Sequence, residues 1–99
     1  SHAVLKRPRA GDFRVQEEHG GSAEVLAPAP MIVAAASHVL SAAGQMGTGS
    51  LYARVDGCIV RDAFMLMELE LIEPTLYLGT SPAAADRLAD ALLARLPRP

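Results

Sequence analysis

Three carboxylates and one guanidinium stand at spacings that bring them together if the chain around them is a β-hairpin. Arg54 and Asp56 lie two residues apart within 51–60, and Glu68 and Glu70 lie two apart within 64–72. Alternate residues of a strand share a face, so each pair points one way, with its members roughly 6.5–7 Å apart along the strand. Carboxylate oxygens in such a group suit a hard divalent cation accompanied by phosphate, and a guanidinium beside them suits either an ion pair or a phosphate oxygen.

Hairpin register decides whether the two pairs meet. A three-residue connection that pairs Val60 with Phe64 sets Asp56 opposite Glu68 and Arg54 opposite Glu70. A two-residue connection sets Asp56 opposite Met67 instead, because a slip of one residue turns every side chain to the other face. The first register groups acid with acid and leaves Met65, Met67, Leu69 and Leu71 as an apolar row on the reverse side, so it is the one expected. Opposed carboxylates repel, and such a group calls for a cation, a protonated member or open water. Spacing alone favours the plainer alternative, a solvated outer face with cross-strand Arg–Glu pairing, which antiparallel sheets present by default.

The elements that must position this hairpin are legible in outline. Residues 3–6 read as a short strand, and 13–16 alternate and are expected to return antiparallel to it; Glu17, Glu18, His19 and the Gly20-Gly21-Ser22 break read as a loop. Pro30 suits a first helical turn, and Ile32, Val33, Ala36, Val39, Leu40 and Ala43 keep helical spacing up to a Gly44 cap. Gly47, Thr48 and Gly49 read as a flexible connection, and Pro74 closes the second hairpin strand. Ser81-Pro82 reads as an N-cap and first-turn proline opening a helix to about residue 96, with Leu88, Leu92, Leu93 and Leu96 as its apolar stripe. The order of strands, helix, hairpin and helix predicts an α+β fold, an antiparallel sheet backed by helices.

With 99 residues, the chain suffices for one small domain, 1–99, and its 51% apolar content allows a core. Nine basic against eleven acidic residues give no basic excess, so no nucleic-acid surface is expected, and the cluster of Lys6, Arg7, Arg9 and Arg14 reads as a solvated edge. No apolar stretch approaches the roughly 18–20 residues that span a bilayer. The single cysteine, Cys58, rules out an intrachain disulfide or a cysteine-based zinc site. The start, Ser1-His2-Ala3, carries neither signal peptide nor initiator Met, so a fragment or processed chain in the cytoplasm is expected.

At the hairpin the residues resemble the ATP-grasp superfamily, whose metal site is an Asp on one strand followed about a dozen residues later by Glu-x-Asn on the next. Asp56 stands twelve residues before Glu68, and Glu68-Leu69-Glu70 is similar to that motif with Glu in place of Asn. Arg54-Val55-Asp56 resembles the family's Arg-x-Asp. Upstream, Gly11-Asp12-Phe13-Arg14-Val15-Gln16 and Gly20-Gly21 resemble the Gly-Asp-Phe-Arg-Ser-Asn and Gly-Gly stretch of the RimK and glutathione-synthetase-like branch. The resemblance implies the C-terminal part of an ATP-grasp domain, without its N-terminal substrate and nucleotide lobes. It implies a ligase that makes an acyl phosphate from ATP and a small-molecule carboxylate, then passes the acyl group to an amine or thiol. Asp56, Glu68 and Glu70 would hold Mg²⁺ (or Mn²⁺), with Glu68 also toward the nucleotide. Arg54 and Arg14 would steady phosphate and acyl phosphate, and Gly20 and Gly21 would let a loop backbone approach ATP. A chain lacking those lobes is expected to be inactive alone, to rely on the remainder of its polypeptide, and to self-associate through exposed apolar surface.

Two other readings compete: a non-catalytic α+β interaction domain with a solvated acidic face, and a degenerate ATP-grasp remnant. His2, His19 and His38 are too scattered for a metal site, although His19 adjoins the glycine loop. Cys58 reads as a buried spectator, the Met65/Met67 pair as core, and Lys6 as a solvated lysine that reaches phosphate only if its strand lines the cleft. Residues 47–50 lack the Gly-Lys-Ser/Thr ending of a phosphate loop.

Overall fold

The first strand, β1 (Ala3–Arg7), pairs antiparallel with β2 (Ser22–Leu26), with Ala3 opposite Leu26 and Arg7 opposite Ser22. The structure, a computed structural model, describes residues 2–13 and 20–97. The strand beside β1 is β2; of the return strand expected at 13–16, Phe13 stands outside any strand and is 88% exposed, and 14–16 lie outside the described residues. Ser22, assigned above to a loop, opens β2 directly after the glycine pair. The ladder to β1 holds these five residues extended.

Helix α1 (Pro30–Ala42) begins with proline in its first turn, where the missing N–H costs nothing. Ile32, Ala36, Val39, Leu40 and Ala43 of the expected stripe are half-covered, whereas Val33 is exposed at 43% and Ala35 takes its place; among the strands the helix touches the last one of the hairpin. Gly44 takes a positive φ just past the helix and donates its N–H to the Ser41 carbonyl. The connection expected at 47–49 is instead largely a short helical turn, α2 (Gln45–Thr48).

Strands β3 (Arg54–Val60) and β4 (Ala63–Glu70) form the second antiparallel pair. A 3₁₀ turn (Leu78–Thr80) leads to α3 (Ala84–Leu93). This helix starts later than Ser81-Pro82 suggests. Ser81 does not cap it by its side chain; its carbonyl accepts the Ala84 N–H at 3.0 Å and closes a turn ahead of the helix. It also ends before Leu96.

The fold is α+β: two separate two-stranded antiparallel sheets with helices. Packing is thin. Among the described residues Ala84 is the one buried hydrophobic side chain, while Met65, Met67, Leu92, Leu93 and Leu96 are exposed. No helix among them is long and apolar enough to cross a membrane.

Candidate metal centre

The hairpin sets Arg54 opposite Glu70 and Asp56 opposite Glu68, the expected pairs, by a different route. Its connection has two residues, Arg61 and Asp62, both at positive φ, with Val60 opposite Ala63. Continued regularly, that register would place Asp56 against Met67. The ladder shifts between Asp56 and Gly57, so that Leu66 faces Gly57, Glu68 faces Asp56, and Met67 is the extra residue of a β-bulge. The bulge restores the parity that the short turn would have spoiled.

Gly57 permits this. A Cβ there would lie 2.3 Å from the Phe64 ring and 2.6 Å from the Met65 carbonyl, so the aromatic ring lies over the bare backbone. The bulge also changes the apolar row. Beyond it Leu69 keeps the reverse face, but that face continues through Leu66 and Phe64 rather than through Met67 and Met65. Met65 and Met67 are exposed, not core, and Cys58, opposite Met65, is exposed rather than buried; Leu66 on the reverse face is exposed as well, so neither face of this end of the hairpin is covered.

On the acidic face the guanidinium of Arg54 is the hub. Its Nη2 donates to Asp56 Oδ2 at 2.8 Å and to Glu70 Oε1 at 2.6 Å, and it stands 3.7 Å from Glu68 Oε2. Its Nε donates to both Asp56 oxygens, at 3.0 and 3.2 Å, a side-on grip on one carboxylate. Burial works against the Arg54 charge, but the hydrogen bond and charge of Asp56, then Glu70, more than offset it and leave its pKa raised. Asp56 and Glu70 are half-buried while Glu68 is 56% exposed at its side chain.

One oxygen from each of Asp56, Glu68 and Glu70 lies within 4.8 Å of the others. Glu68 registers the crowding: a hydrogen bond with Glu70 and the Glu70 charge, followed by desolvation and Asp56, push its carboxyl above the ordinary 4.5 against the pull of Arg54. The donor set is all oxygen and anionic, which fits a hard divalent ion. Arg54 offsets one of its three negative charges.

Two contributors carried no sequence signal. Arg54 Nη1 also donates to the Thr75 carbonyl at 3.4 Å, and Tyr77 follows two residues further on. Tyr77 sits at a left-handed φ of 50° with the Lys6 ammonium 5.3 Å from its ring centre. The segment after Pro74 thus ties β1 to the acidic face, and His2 Nε2–H donates to the Leu76 carbonyl at 2.7 Å nearby. Lys6, expected to be solvated, is half-buried on that tyrosine. An isolated Tyr in an irregular stretch shows no periodicity from which this could be read.

The remaining predicted residues divide. Arg14 and His19 lie outside the described residues. Gly20 takes a φ of +79° against the Arg9 side chain and Gly21 leads into β2, both on the other sheet from the acidic cluster. His38 is exposed on α1. No protein-family model matches the chain, and neither a curated protein nor a solved structure matches it.

Proposed function

We propose that the chain is the metal- and ATP-phosphate-binding part of an ATP-dependent ligase that joins a carboxylate to an amine or thiol through an acyl phosphate. The observation that carries this reading is the gathering of Asp56, Glu68 and Glu70 on one hairpin face with oxygens within 4.8 Å, in the chain order that resembles the ATP-grasp metal motif. These three residues would hold Mg²⁺ or Mn²⁺, which when bound supplies charge neutralisation on phosphate oxygens. Arg54, whose Nε and Nη2 are engaged by Asp56 and Glu70, would have to exchange one of these partners for a phosphate oxygen, and Lys6 on Tyr77 adds positive charge from β1. Roles for Arg14, Gly20 and Gly21 rest on family likeness alone. Substrate contacts and the nucleotide lobe belong, on this reading, to the remainder of the polypeptide.

A second reading is supported by the Arg54 ion pairs themselves. At 2.8 and 2.6 Å one guanidinium pairs with two of the three acids without any ion, as a purely structural cluster in a non-catalytic interaction domain would. Mn²⁺ titration of the full-length protein, followed by electron paramagnetic resonance, separates the two. The ligase reading expects saturable binding that Asp56→Asn and Glu70→Gln each weaken at least about 10-fold. It further expects ADP release from Mg²⁺-ATP with some member of a carboxylate panel. Unchanged Mn²⁺ signal at millimolar ion leaves only the structural cluster; binding with no ADP release across the panel points to a remnant without chemistry.

A further inference from the structure

Ala84, Arg87, Leu88 and Ala91 lie on one side of α3, because residues three and four apart are neighbours on a helix surface. Across from them stand two irregular segments, 51–53 and 76–78. The helix is tied to this wall at both ends: Arg95 Nη2 donates to the Ser50 carbonyl at 2.7 Å, and the 3₁₀ turn abuts the helix start. Between these ties the contact is incomplete. Alanine at 84 and at 91 is too small to fill the space on either side of Leu88, so a cleft of about 230 Å³ stays open among Leu51, Leu76, Leu78 and Leu88. These four leucines are half-covered, and His2, Tyr52 and Arg87 supply the polar part of the lining.

We infer that this cleft binds a small monocarboxylate with an apolar body, its carboxylate on Arg87 and its hydrocarbon among the leucines. Charge complementarity selects the head group. Among the described residues Arg87 makes no ion pair, and its one hydrogen bond, from Nη2 to Ser81 Oγ, is long at 3.4 Å. Arg54, by contrast, is engaged by Asp56 and Glu70. The acids nearest Arg87 in sequence, Asp86 and Asp90, are exposed and lie roughly 100–160° round the helix from the cleft, so neither neutralises its mouth. A guanidinium there can take a carboxylate through two parallel N–H donors.

The walls select the rest. Inorganic phosphate would leave the leucines unused, whereas an apolar body replaces water against them. A cavity of about 150 Å³ holds benzene, and the same packing puts about nine non-hydrogen atoms in this one, the size of benzoate. Neither the acidic cluster nor a nucleotide is needed for such binding, which therefore stands apart from the ligase reading.

Benzoate titrated into the full chain without metal or ATP should give saturable nuclear magnetic resonance shifts, with a Kd on the order of 1 mM. Nuclear Overhauser contacts should run from its ring protons to the Leu76 and Leu88 methyl groups. Benzamide, uncharged and of the same shape, should bind at least about 10-fold more weakly, and so should benzoate to Arg87→Gln, an exposed position that the fold does not depend on. Shifts that stay linear to about 20-fold above that Kd overturn the inference, as do contacts to methyl groups outside the cleft. Equal binding of benzamide, undiminished binding to Arg87→Gln, or displacement of benzoate by an equal concentration of phosphate would each overturn it too.

Discussion

Arg54 holds four groups at once: Asp56, Glu70, the edge of Glu68 and the Thr75 carbonyl. Removing its charge leaves three carboxylates facing one another. Arg54→Gln should therefore cost about 2 kcal/mol in urea unfolding at neutral pH, and less in acid, where the carboxylates take up protons. Glu68 behaves in the opposite sense. Its pKa is raised in the folded chain, chiefly by Glu70, so its contribution is complete below the ordinary 4.5 and is lost as pH rises through the folded value. Melting curves in chelator should show wild type losing ground to Glu68→Gln as pH climbs from acid to neutral, with the gap constant below the unfolded value. A gap that does not change with pH would mean that the Glu68 carboxyl does not feel Glu70 in solution.

At the scale of elements, the β3–β4 hairpin has a strained turn and a compensating bulge. Arg61 and Asp62 both adopt positive φ without a glycine, a conformation that two-residue hairpin turns need and that most side chains resist. Asp62→Gly should stabilise the chain by about 1 kcal/mol in thermal unfolding. Gly57→Ala should destabilise it by about 1–3 kcal/mol, because its new methyl meets the Phe64 ring and an unyielding Met65 carbonyl. Deleting Met67 gives a sharper check on the bulge. Removal of the extra residue leaves a regular ladder in which Asp56 still faces Glu68 and Arg54 still faces Glu70, so the cross-strand nuclear Overhauser contacts of those pairs should survive. Their loss would show that the register is held elsewhere.

At the scale of the whole molecule, the chain is long and thinly packed. Its Cα radius of gyration is 14.9 Å, against about 13 Å for a compact domain of this length, and its extents are 56 × 28 × 23 Å. Among the described residues, two sheets of two strands each leave every strand with an open edge, and α3 carries exposed leucines. Folding and association are then coupled, so the midpoint of thermal unfolding should rise with protein concentration. A midpoint independent of concentration over a hundredfold range of about micromolar upward would show that the monomer is stable by itself.

Local chemistry was readable along the chain because it depends on neighbours in sequence. The α+β class, α1 with its proline start, the strands β1, β3 and β4, and the shared faces of Arg54 with Asp56 and of Glu68 with Glu70 all follow from period and punctuation. The match of Asp56 to Glu68 was also reached from sequence, by demanding that acids meet acids, although the turn assumed for it was one residue too long. What needed tertiary structure was every choice between distant partners: β2 beside β1, a bulge at Met67 that turns Leu66 and Phe64 to the reverse face, Lys6 on Tyr77, and the uneven burial of α3. Alternation along a strand is set by the backbone of that strand alone. Which strand lies beside it, and where an extra residue bulges out, depend on contacts between segments far apart in the chain, and no single segment carries that information.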